Sequence, residues 1–326
     1  MDAEFYKHLH AEGLLSDESF NKLNQPQQQP DLSVHWEVRT LLYVGVVLLT
    51  GGLGVAVYEN IDTIGHTAVL TLIGFIAAGC FIYCFKTTKP FSWDKVNAPN
   101  AYFDYVLLLG STSMVSFIGY WQYQYHIFGT DYGLATLIPM LALFFTAYYF
   151  DHLGILSMAI ANLAVWMGVS VTPKALLLQN DFDKGTLTNT YIVLAIVLLA
   201  AAFLTDYYRL KKHFKFSYQH YGVHAGYISL LAGYFHYYDG YLAAVYMLAL
   251  FLLSALLYTD AKKNKSFYFL LLMTLYTYFA ISCLVMRSLF IVGEQFALYL
   301  AFFYFIGSAL GLIFLLINFN KKLKTA

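Results

Sequence analysis

Charge is what this sequence has least of. Asp, Glu, Lys and Arg make up 12% of its 326 residues, while hydrophobic residues make up 60%. A soluble domain carries roughly a quarter of its residues as charges. So little charge cannot cover a water-facing surface of this size, and lipid must cover much of it. The formal net charge is zero, so no global basic field exists to attract nucleic acid. Cysteine is scarce too. Cys80, Cys84 and Cys283 all lie inside apolar runs, which excludes a disulfide framework and leaves two thiols one turn apart, too few for a zinc site. No Ser-His-Asp order, phosphate loop or His-Glu-x-x-His box occurs, and no cofactor is called for.

The N-terminus lacks the basic start and early apolar stretch of a secretory signal. It is polar instead, with Asp2, Glu4, Glu12, Asp17 and Glu18. Phe5, Leu9, Leu14, Leu15, Phe20 and Leu23 give it apolar positions for a small helical segment, broken at Gly13 and capped again by Ser16. The Gln/Pro run from Asn24 to Asp31 reads as a linker. This divides the chain into residues 1–38, a cytoplasmic N-terminal segment with its linker, and residues 39–326, a transmembrane domain.

What is there in quantity is the apolar run. From Thr40 onward, stretches of about eighteen apolar residues alternate with turns or charged loops. A helix of about twenty residues crosses the hydrocarbon core. Spans are expected over 41–58, 67–85, 103–121, 134–150, 153–171, 191–206, 222–238, 241–258, 267–286 and 295–317. The expected fold is therefore all-α, a polytopic transmembrane helix bundle of about ten spans. Two joints are tight, Asp151-His152 and Asp239-Gly240. If either hairpin fails to cross, the count falls to eight.

With the N-terminus inside, only Lys174, Lys184 and Arg287 of the 19 Lys and Arg fall outside. The other sixteen lie in alternate loops that face the cytoplasm, as the positive-inside rule requires. Both termini are then cytoplasmic, and the basic loops face anionic lipid. Tyr clusters at span ends, as in Tyr148-Tyr149, Tyr207-Tyr208 and Tyr237-Tyr238, read as interfacial anchors.

No Asp, Glu, Lys or Arg falls near the middle of any expected span, which argues against an ion-coupled pump. Polar side chains do occur at depth. Asn162, with Trp166 one turn on, and Ser111, Thr112, Ser113 and Ser116 are candidates for a solute path; interhelical hydrogen bonding is the plainer alternative. The first span carries Gly45, Gly51, Gly52 and Gly54 and exits through Glu59, Asn60 and Asp62. These glycines permit close packing, or an unwound end that holds a cation. Gly222 with Gly226, and Gly307 with Gly311, have the small-residue spacing of packed apolar helices. His220 and His224 share one helix face; they are weak metal candidates without a third ligand, and His213 sits in a basic loop.

The run Glu12-Gly-Leu-Leu-Ser-Asp-Glu18, the glycine-rich span from Gly45 to Gly54 and the exit Asn60-Ile-Asp62 together resemble the DUF2157-type family of bacterial predicted membrane proteins. The resemblance covers residues 11–65 and implies a bacterial cytoplasmic membrane; it assigns no site residue. Three functions remain open. The first is a carrier or channel for a small, weakly charged solute. The second is a structural or regulatory protein that docks a partner through its N-terminal segment. The third is an intramembrane enzyme acting on lipid or quinone, with Asp151, His152 and Asp206 at the inner side.

Overall fold

A computed structural model describes residues 12, 35–59, 65–100, 102–129, 132–171, 185–292 and 294–325. Among them every regular element is helical. The chain divides between Asn60 and Ile61 into two units. Helix α1 (His35–Glu59) belongs to the first unit. It runs unbroken through its glycines, and the positions a Cβ would take at Gly45, Gly51, Gly52 and Gly54 meet nothing within 4 Å.

The second unit holds nine helices among the described residues: α2 (His66–Thr87), α3 (Phe103–Tyr125), α4 (Gly133–Phe150), α5 (Leu153–Val171), α6 (Gly185–Tyr207), α7 (Lys215–His236), α8 (Tyr241–Lys263), α9 (Phe267–Val292) and α10 (Glu294–Thr325). Sequential helices pack on one another, and α7 also touches α5 and α9. Eight of the nine are long and apolar enough to cross a membrane. The exception is α7, which has the length but carries Gln219, His220, His224 and several hydroxyls.

Both tight joints turn the chain. Asp151 closes α4 in the left-handed region at φ 60°, and the His152 ring accepts the Ile155 N–H at 3.1 Å, capping α5. Between α7 and α8 the turn is made by Tyr237 to Gly240, with the Gly240 N–H donating to the Tyr237 carbonyl at 2.9 Å.

Two cores result. One gathers Leu107, Leu143, Leu156 and Leu198 of α3–α6 with Phe214 of the 3-10 turn before α7. The other gathers Tyr227, Leu230, Met247, Leu250 and Leu270 among α7–α9. Helix α7 contributes to the second, while Tyr218 at its start belongs to the first. Twelve of its 22 residues are buried, the reason a polar helix is tolerated there. Glycines bring its neighbours close. A Cβ at Gly222 would sit 3.1 Å from Leu198 and Leu199 of α6.

Candidate functional site

Polar residues on α7 recur at His220, His224 and Tyr227, spacings of four and three that place them on one face. That face meets α8 and α9. His220 Nδ1 is 2.6 Å from the Tyr268 hydroxyl, and His224 Nδ1 is 2.7 Å from the Tyr276 hydroxyl. The rings of His220 and His224 lie 4.7 Å apart, edge to face. Tyr227, fully buried, stacks on Tyr276 at 4.6 Å and 4°. The Tyr227 hydroxyl lies 2.9 Å from Ser254 Oγ, which is 2.8 Å from Thr277 Oγ1. Ser254 donates its own hydrogen to the Leu250 carbonyl at 2.9 Å, so its oxygen accepts from the other two hydroxyls. This ladder satisfies polar groups that lipid could not.

Behind the ladder, between α5, α6 and α7, lies a groove of about 420 Å³. Its walls are mostly apolar, with Ile160 and Ala164 from α5, Leu194 and Leu198 from α6, and Ala225 and Ile228 from α7. Thr188, Tyr191, Tyr221, His224 and Ser229 supply the polar atoms, and no charged side chain lines it. Ala161, Ile228 and Ala232 on its rim are exposed, so the groove opens sideways where lipid would lie. His224 belongs to both the groove wall and the ladder. A second groove, of about 610 Å³, runs between α2 and α3 and is lined by Thr67, Gly74, Phe75, Phe117 and Trp121.

At the other end of α7 lies a buried ion cluster. Lys211 is fully buried; its Nζ is 3.2 Å from Asp151 Oδ2, whose side chain is 1% exposed. The same carboxylate pairs with His213 Nε2 and accepts the Val96 N–H. Lys211 further donates its backbone N–H to the Trp93 carbonyl at 2.9 Å and lies over the Phe91 ring at 5.2 Å. Three loops, 88–100, 151–152 and 208–214, are thus fastened together. Lys211, counted among the basic loop residues that set orientation, and His213 of the same basic loop are both held here, because Asp151 at the end of α4 gives them a common partner.

The solute-path candidates are placed as follows. Ser111, fully buried, donates to the Leu107 carbonyl at 2.8 Å, and Thr112 to that of Leu108 at 3.0 Å. Ser113 is buried and Ser116 exposed. Asn162 donates to the Met158 carbonyl of its own helix at 3.2 Å. Neither these residues nor Trp166 line the two grooves, although Ala161 and Ala164 beside Asn162 line the first. Glu59 closes α1; Asn60 and Asp62, the loop 172–184 and, apart from Glu12, residues 1–34 lie outside the described residues. His220 and His224 are joined to tyrosines, and among the described residues no group of three His, Cys, Asp or Glu is arranged for a metal. Asp206 pairs with Lys215 at 2.7 Å and with Lys212 at 3.6 Å, while His152 lies 4.0 Å from Asp104. Apart from His224, the groove residues went unnoticed because Thr188, Tyr191 and Ser229 are unremarkable in sequence. The signal that existed was the low hydropathy of α7 among apolar spans.

Eight apolar helices of spanning length among the described residues define a multi-pass α-helical membrane protein. Residues 7–156 match the family described as predicted membrane protein (DUF2157), a stretch wider than the local resemblance over 11–65. No curated protein and no solved structure matches the chain.

Proposed function

We propose that the membrane domain is a binding protein of the carrier class for a small, weakly charged and largely apolar molecule, held in the groove between α5, α6 and α7. The observation that supports this is the groove itself. Its volume of about 420 Å³ falls in the roughly 300–1,000 Å³ range of small-molecule sites, which are typically apolar with a few polar groups that fix orientation. The uncharged walls suit a weakly charged occupant, and the exposed rim suits entry from the bilayer. Ala225 lines the groove, and tryptophan there would fill much of it. Protein purified in mild detergent should yield a co-extracted small molecule detected by mass spectrometry, reduced at least about fivefold in Ala225→Trp. Identical extracts from both proteins would remove the reading.

The same proposal sets the protein in a bacterial cytoplasmic membrane with both ends in the cytoplasm, a reading supported by the sixteen Lys and Arg in alternate loops. A fluorescent protein that matures only in the cytoplasm, fused after Ala326, should be bright. A dark fusion with an active periplasmic phosphatase fusion at the same point would reverse the orientation. The alternative reading, docking of a partner through the N-terminal segment, rests on residues outside the described ones.

A further inference from the structure

Resting on the groove reading, we infer that the occupant's polar end is a carbonyl group held by His224, and that the ligand class is a lipid-soluble quinone. The Tyr276 hydroxyl meets His224 at Nδ1, 2.7 Å away. A phenol donates readily to an imidazole nitrogen, and that arrangement places the ring hydrogen on Nε2. Among the described residues Nε2 has no protein partner, and His224 forms part of the groove wall. That N–H joins the Thr188 and Tyr221 hydroxyls as hydrogen-bond donors on a mostly apolar wall, where an unmatched donor is costly. Ser229 directs its hydrogen to the Ala225 carbonyl at 2.7 Å, so its oxygen offers lone pairs only. A flat ring that bears a carbonyl meets these donors, and the Tyr191 and Tyr221 side chains in the wall suit a flat ring better than an acyl chain. The absence of charged lining excludes a phosphate headgroup as the recognised end. The exposed rim at Ala161, Ile228 and Ala232 leaves an apolar tail in lipid.

The test uses the full chain in detergent, with decylubiquinone as probe and the same molecule with methoxy groups in place of its carbonyls as comparator. Binding is read from the saturable rise in Tm. The quinone should bind about tenfold tighter than the comparator. His224→Leu should remove that difference, His224→Gln should keep most of it through its amide donor, and Tyr276→Phe should weaken it by releasing the imidazole tautomer. Unliganded Tm confirms that each variant is folded; if His224→Leu is not, Tyr276→Phe carries the decision. Equal binding of quinone and comparator, or a difference insensitive to both variants, overturns the carbonyl assignment while the groove reading stands. Binding of neither, with no change in Ala225→Trp, overturns the groove reading as well.

Discussion

Lys211→Met should cost the fold about 3–5 kcal/mol, the range for removing one partner of a buried ion pair. The reason is the carboxylate left behind. Asp151 is 1% exposed, and Lys211 is its only fully buried cation among the described residues. His213 stays in place, so the loss should fall near the lower bound. Loops 88–100 and 208–214 would also lose the contacts that Lys211 Nζ makes with the Asp94 carbonyl and the Phe91 ring. Thermal unfolding in detergent measures this, with the double variant Lys211→Met and Asp151→Leu recovering part of the loss because no buried charge then remains. A single variant that melts with the wild type would mean that water reaches the cluster and solvates the carboxylate.

Gly233→Val should destabilise the α7–α8 contact by about 1–3 kcal/mol, the usual cost of overpacking a filled site. A Cβ there would clash with two ring carbons of Tyr246. That ring cannot easily swing aside, since its hydroxyl donates to Asn189 at 2.8 Å and its face stacks on Tyr237 at 5.6 Å. Gly307→Val is the matched control, because the corresponding position on α10 meets nothing within 4 Å. Limited proteolysis and Tm should separate the two variants clearly; equal behaviour would show that α8 shifts freely away from α7.

The contrast between those glycines marks where sequence reading stops. Gly222 with Gly226 and Gly307 with Gly311 share one spacing. The first pair lies against Leu198, Leu199 and Leu253, and the second faces open space. Spacing reports what a helix permits, and only its neighbours decide whether the permission is used. Eight of the ten expected spans were legible because apolar length alone sets them; 222–238 was misjudged, since α7 has the length but not the apolar composition. The two hairpin turns were legible because Asp151 and Gly240 suit tight reversals. The site was less legible. Asn162 and Ser111 stood out as polar residues at depth, yet both satisfy themselves on their own helices. His220 and His224 stood out as a pair, but their partners, Tyr268 and Tyr276, are some fifty residues away. The Lys211–Asp151 contact joins residues 60 positions apart and left no local trace.

The polarity of α7 has a bearing on how the protein is made. A nascent segment with Gln219, His220, His224 and so many hydroxyls partitions poorly into lipid by itself. Its ladder partners, Ser254, Tyr268, Tyr276 and Thr277, are synthesised later. Until they arrive, α5 and α6 are the earlier helices that can shelter it, and the close approach of Gly222 to Leu198 and Leu199 makes the α6 pairing available at once. Helices α6 and α7 are therefore expected to insert as a pair, with the second half of the domain completed only when α8 and α9 supply the ladder's remaining partners.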